Sequence, residues 1–240
     1  MAFEPQNQTV LRTESRAGTM EIDQGLRTYM LKVYNYMASG LALTGIVAML
    51  TASSETMIQL IYGTPLQWVV MLAPLDFILF MSFGIHKMSA ATAQALFWAF
   101  AGVMGLSMAS IFLVYTGESI ARVFFITAGT FAAMSLYGYT TKRDLSRFGS
   151  FLMMGLIGII IAMIVNWFLQ STALQFVISG IGVLVFTGLT AYDTQRIKAI
   201  YDAADSAEVA TKKAINGALN LYLDFINLFI MLLQLLGNRE

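Results

Sequence analysis

The chain has 240 residues, 58% hydrophobic and only 12% charged, with a mean hydropathy of +0.70 and no net charge. Soluble domains carry about 25% charged residues, so this supply cannot clothe a water-facing globule, and balanced charge gives no footprint for nucleic acid. No cysteine and a single histidine, His86, exclude disulfides, thiolate metal sites and cysteine nucleophiles and leave no basis for a resident metal or cofactor.

Residues 1–22 are polar, with Arg12 and Arg16 among Gln, Asn, Thr, Ser and Glu. They lack the apolar core and small-residue cleavage site of a secretory signal, and are read as a mobile cytosolic tail. Residues 23–240 form one transmembrane domain. Apolar runs fall at about 33–51, 66–84, 91–114, 119–139, 150–169, 173–192 and 214–237. Crossing roughly 30 Å of hydrocarbon takes about 20 helical residues, which these runs supply. Turn chemistry separates them, as in Gly63-Thr64-Pro65, Thr116-Gly117-Glu118 and Gln170-Ser171-Thr172. Barrel strands of about 10 residues with alternating polarity are absent. The expected fold class is all-α, a polytopic seven-transmembrane-helix bundle in a lipid bilayer.

Within the spans, Ala101, Gly105 and Ala109 recur every four residues, as do Gly129 and Ala133, and Gly155, Gly158, Gly180 and Gly182 thin two later helices. Pro74 is expected to kink the second span. The sixth loop, about 194–213, is the long one, a solvated and partly helical segment. Glu118 and Arg122 stand i,i+4 as a structural pair. Tyr34, Tyr36, Trp68, Tyr115 and Tyr139 sit near span ends, as an aromatic belt does.

Basic residues set the orientation. All but Arg122 and Arg239 fall before the first span or in the second, fourth and sixth loops. That asymmetry needs an odd number of spans, with the N-terminus cytosolic and the C-terminus outside.

The acids inside the spans are the functional clue, because an intramembrane carboxylate costs a few kcal/mol and usually faces a cavity or partner. Asp224 lies about 11 residues beyond Lys213, roughly 16 Å deep, with Asn220 and Asn227 on the same helical face and Gln234 further along it. Asp76 lies equally far from Lys87, so depth alone pairs Asp76 with Asp224. Asp193 ends the sixth span, where an interfacial ion pair with Arg196 or Lys198 is an equal reading. Enzyme readings fare poorly, and no catalytic residue is assigned. Intramembrane aspartyl proteases need Gly-x-Gly-Asp, whereas Asp224 follows Leu-Tyr-Leu; a retinal protein needs a last-helix lysine, absent between Ala214 and Gly237.

Three stretches, Leu136–Gly149, Thr190–Arg196 and Leu219–Phe229, carry a resemblance to the Bax inhibitor-1 (transmembrane Bax inhibitor motif) family, which extends over about residues 25–237. The resemblance implies a bacterial inner-membrane member acting as a pH-sensitive calcium leak, with Asp193 and Asp224 as a proton-sharing pair between the sixth and seventh helices. Calcium ions would pass near that pair, and Asp76, Asn220 and Asn227 are candidates for the rest of the pathway. Some bacterial relatives place a basic residue in the second helix near the pair. Here Asp76 stands in that helix instead, so three acids without a counter-charge are expected if it shares the cavity. The family also implies an alternative: a non-transporting regulator that binds a membrane-bound quality-control protease or cell-death machinery, with the tail as its contact.

Overall fold

Serine and threonine caps mark most helix starts. In the computed structural model, which describes the backbone of residues 6–85 and 87–239 and the side chains of 24–85 and 87–239, the helices are α1 (Gln6–Ala52), α2 (Glu55–Tyr62), α3 (Leu66–Gly84), α4 (Ala90–Met108), α5 (Ile111–Val114), α6 (Gly117–Thr140), α7 (Ser146–Leu169), α8 (Thr172–Ala199) and α9 (Ala207–Leu236). Ser54, Ser89, Thr116, Ser171 and Ser206 accept the N–H three residues on, at the starts of α2, α4, α6, α8 and α9. Among the described residues, seven helices are long and apolar enough to cross a bilayer and no strand forms, only one isolated bridge between Tyr115 and Arg239. This is the expected all-α polytopic bundle.

The boundaries differ in three places. Burial on α1 sets in before residue 33, with Tyr29 and Met30 already in the core alongside Val33. The tail expected over 1–22 lies outside the residues whose side chains are described; the α1 backbone runs helically across its boundary from Gln6. His86 is likewise outside the described residues. The long sixth loop shrinks to 200–206: α8 continues to Ala199 and α9 starts at Ala207. Lys213 donates to Asp205 at 2.6 Å and to the Ile200 carbonyl at 3.0 Å, so its charge ties the turn while the helix continues.

The most buried span, α9, is the axis of the bundle, packed by α8, α1, α6 and α4, whereas α3 is the least buried. Its deepest anchor is Tyr222, whose hydroxyl meets Thr44 Oγ1 at 2.6 Å while Thr44 donates to the Ala101 carbonyl at 2.8 Å. Phe97 and Phe100 press edge-on against the same ring. Gly105 belongs to this contact, since a methyl there would stand 2.7 Å from the Thr44 carbonyl oxygen. Gly129, Gly158 and Gly180 instead face open space. α3 continues as one helix through the buried Pro74.

Arg122 does not pair with Glu118. Its guanidinium donates at 2.9 Å to the Leu236 carbonyl, where the last carbonyls of α9 carry partial negative charge. The C-terminal segment meets the α5–α6 turn there as well, with Thr116 N–H donating to the Asn238 carbonyl at 3.1 Å. At the opposite end Lys32 donates to Thr211, Lys212 to the Met88 carbonyl and Lys198 to the Tyr139 carbonyl, gathering most basic side chains on one face.

Asp144, outside the spans, starts α7 by accepting the Ser146 N–H at 2.9 Å. Bonds from Ser146 and the nearby Arg147 charge hold its carboxyl below the usual aspartate range. A lowered value means the cap is complete above the ordinary pKa and is lost as pH falls through the lowered one. Ser146 amide exchange should therefore accelerate only below the ordinary aspartate range, and at all pH in Asp144→Ala; unchanged exchange in that variant would remove the capping role.

Candidate functional site

The sixth and seventh spans form an antiparallel hairpin whose register is set by glycines. Gly217 accepts Ile197, 3.1 Å from where its methyl would be, and Gly182 accepts Met231 at 2.9 Å. Counting from these contacts, Asp224 lies level with about Thr190, roughly one helical turn from Asp193. That offset is within reach of two side chains, and the Asp193 and Asp224 carboxyls line the same cavity. Depth arithmetic fails here because Lys213 lies level with Ile200, so both acids sit below the same turn.

Asp224 is 5% exposed, and its Oδ2 has no hydrogen-bond partner. Asp193 is half-buried at the wall of a cavity of about 590 Å³ between α3, α7, α8 and α9. Asn220, Asp224 and Asn227 line the α9 side of it, as their shared face requires. Asn227 spends its amide on the Leu223 carbonyl, at 2.8 Å, which directs its own carbonyl oxygen away from that bond.

Asp76 does not join them. It is exposed on the outer side of α3, while Ile78, two residues on, faces the cavity. The expectation of three acids without a counter-charge is therefore corrected to two acids and one cation. Arg196, one turn beyond Asp193 on α8, lines the cavity, as does Tyr192. The described residues form no ion pair between Asp193 and either Arg196 or Lys198. Sequence reasoning looked for the counter-charge in the second span; the i,i+3 spacing of Asp193 and Arg196 was the signal available. Gln234 also stands apart from the cavity, bonded to Gln175 and Ser179 at the far end of the hairpin.

The Leu136–Gly149 stretch holds Asp193 in place. Gly138 on α6 lets the Ala191 backbone come so close that a methyl would lie 2.9 Å from its Cα. Gly149 on α7 receives the Tyr192 ring. Gln195 accepts the Leu145 N–H at 2.9 Å and donates to the Arg143 carbonyl at 2.8 Å. The α6–α7 turn thus clamps the segment of α8 that carries Asp193, and no residue of that turn lines the cavity. Among the described residues no cluster of His, Cys, Asp or Glu is large enough to hold a metal ion. What the site offers is a carboxyl pair able to exchange a proton, amide oxygens beside it and a nearby guanidinium.

A family model described as Inhibitor of apoptosis-promoting Bax1 matches residues 26–240. The chain is 52% identical over 230 residues to the uncharacterized protein RP147 of Rickettsia prowazekii, covering 96% of this chain and 97% of that one. It is 49% identical over 219 residues to the inner membrane protein YbhL of Escherichia coli K12, covering 90% and 94%. An uncharacterized protein of Caulobacter vibrioides is 47% identical over 232 residues, covering 92% and 93%.

Proposed function

We propose, from the premise that this chain belongs to the Bax inhibitor-1 family, that it is a pH-sensitive calcium leak of the bacterial inner membrane, gated by the Asp193–Asp224 pair. The observation that carries this reading is the placement of two carboxyls about one helical turn apart on facing helices, in a cavity also lined by Asn220 and Asn227. Two carboxyls bond to each other only while they hold a proton. Its loss leaves two like charges close together, and the repulsion pushes α8 from α9. Ionised carboxylates and amide carbonyls then present the oxygen ligands a hard cation takes.

The charged or titratable side chains lining the cavity are Tyr192, Asp193, Arg196 and Asp224. The guanidinium of Arg196, at a site exposed to water, repels cations from the mouth. With the basic face in the cytosol, the N-terminus is cytosolic and the C-terminus outside.

The test is Ca²⁺ flux into proteoliposomes across pH. Wild type should leak more as pH rises through the titration of the pair. Asp193→Asn and Asp224→Asn should each flatten that dependence, and Asp76→Asn should leave it in place. Absence of flux at every pH would overturn the leak and favour a regulator of a membrane-bound protease.

A further inference from the structure

The polar face of α9 does not end at Asn227. It resumes at Gln234, seven residues and roughly 10 Å further on, after an interval filled by Ile230 and Met231. Gly182 of α8 lies level with Met231 and Phe186 about one turn nearer Asn227, and Ile159 of α7, Phe186 and Met231 line the inner end of the aspartate cavity. Met231, Phe186 and Ile159 are 3%, 4% and 4% exposed. Gly182 has no spare room, because the Met231 Cγ and Sδ lie 2.9 Å from where its methyl would be.

Beyond this layer a second polar group is built from three helices. Asn166 of α7 accepts the Ser171 N–H at 3.0 Å and donates to Gln175 at 3.1 Å. Gln175 donates to Gln234 Oε1 at 2.6 Å, and Ser179 reaches the same oxygen at 2.7 Å. Asn166 is 8% exposed and Ser179 is fully buried.

We infer that the barrier to ions in this conformation is the apolar layer of Ile159, Phe186 and Met231 against Gly182, and that the Asn166–Gln175–Ser179–Gln234 group is a second polar compartment on its far side. The inference rests on the leak reading and places the seal away from the aspartates. An apolar constriction excludes ions by shedding water, with no charge of its own. Met231 is suited to the part: unbranched and flexible, it fills a gap that a glycine leaves and vacates it without breaking a hydrogen bond. It lies seven residues from Asp224, two turns along the same face, so a displacement of α9 from α8 at the pair also lifts Met231 off Gly182.

The cysteine-free chain permits a direct test with single cysteines and a membrane-impermeant thiol reagent on oriented vesicles held at acid pH. Asn220→Cys and Asn227→Cys should label only from the face carrying the basic loops. Gln175→Cys and Gln234→Cys should label only from the opposite face, and Met231→Cys from neither. In proteoliposomes Met231→Asn should raise acid-pH Ca²⁺ flux at least tenfold. Labelling of Gln234→Cys from the basic face, or of Met231→Cys from either, would overturn the barrier, as would unaltered flux in Met231→Asn beside a leaking, pH-dependent wild type. No wild-type flux at any pH would sink the leak reading itself, and the labelling would still decide whether an apolar layer divides two wet compartments.

Discussion

Gly138→Ala should destabilise the folded bundle by about 3 kcal/mol or more, the upper end of what overpacking costs. The new methyl would meet the Ala191 carbonyl oxygen inside van der Waals contact, with the carbonyl carbon and Cα both 2.9 Å away. Those atoms are backbone. No rotamer change relieves the clash, so α6 and α8 must part along the segment that carries Asp193. Gly129→Ala in the same helix is the matched control, since nothing lies within 4 Å of its added methyl. Alanine is the better helix former by about 1 kcal/mol, so that variant should be neutral or slightly stabilised. Thermal unfolding followed by circular dichroism in detergent separates the two. Equal melting of Gly138→Ala and wild type would mean that the α6–α8 approach is not tight in the native protein.

This contrast also marks what can be read from sequence. Both glycines lie in one apolar run, and nothing in their neighbours says that one faces a backbone and the other open space. Span number was legible because an apolar run of about 20 residues has one physical use in a bilayer. Helix ends were less so: residues 24–32 and 194–213 carry Arg27, Lys32, Arg196, Lys198, Lys212 and Lys213, which read as loop by polarity. In the structure these long side chains reach out to neighbouring turns while their backbones stay helical. The Asn220–Asp224–Asn227 face followed from helical periodicity. Its partner did not, because depth from the nearest lysine carries an error of about a turn, and a turn is what separates Asp193 from the level of Asp224. Asp76 had the right depth and the wrong azimuth. Rotation about a helix axis is set by neighbours, and α3 packs on α2 and α4 rather than turning its acid to α9.

Asp193→Lys should hold the pathway shut more firmly than Asp193→Asn. On the gating reading, what opens the α8–α9 contact is like-charge repulsion after the shared proton leaves. Asparagine at 193 removes the repulsion and the titration together, so it fixes flux at one value across pH. Lysine replaces the proton with a permanent positive charge beside Asp224, whose Oδ2 stands buried without a partner. The cavity of about 590 Å³ gives the longer side chain room, and the exposed Arg196 repels it only through water. Attraction then holds α8 on α9 at every pH between the aspartate and lysine titrations. Ca²⁺ flux in proteoliposomes should fall at least tenfold at the pH where wild type leaks most, and show no rise with pH. A buried ion pair is close to neutral for stability against the pair it replaces, so melting should change little. The reverse substitution, Asp224→Lys, puts the cation at a site only 5% exposed and should fail to fold. If Asp193→Lys leaked as freely as wild type, with folding intact, repulsion between these two residues would not be the force that opens the pathway.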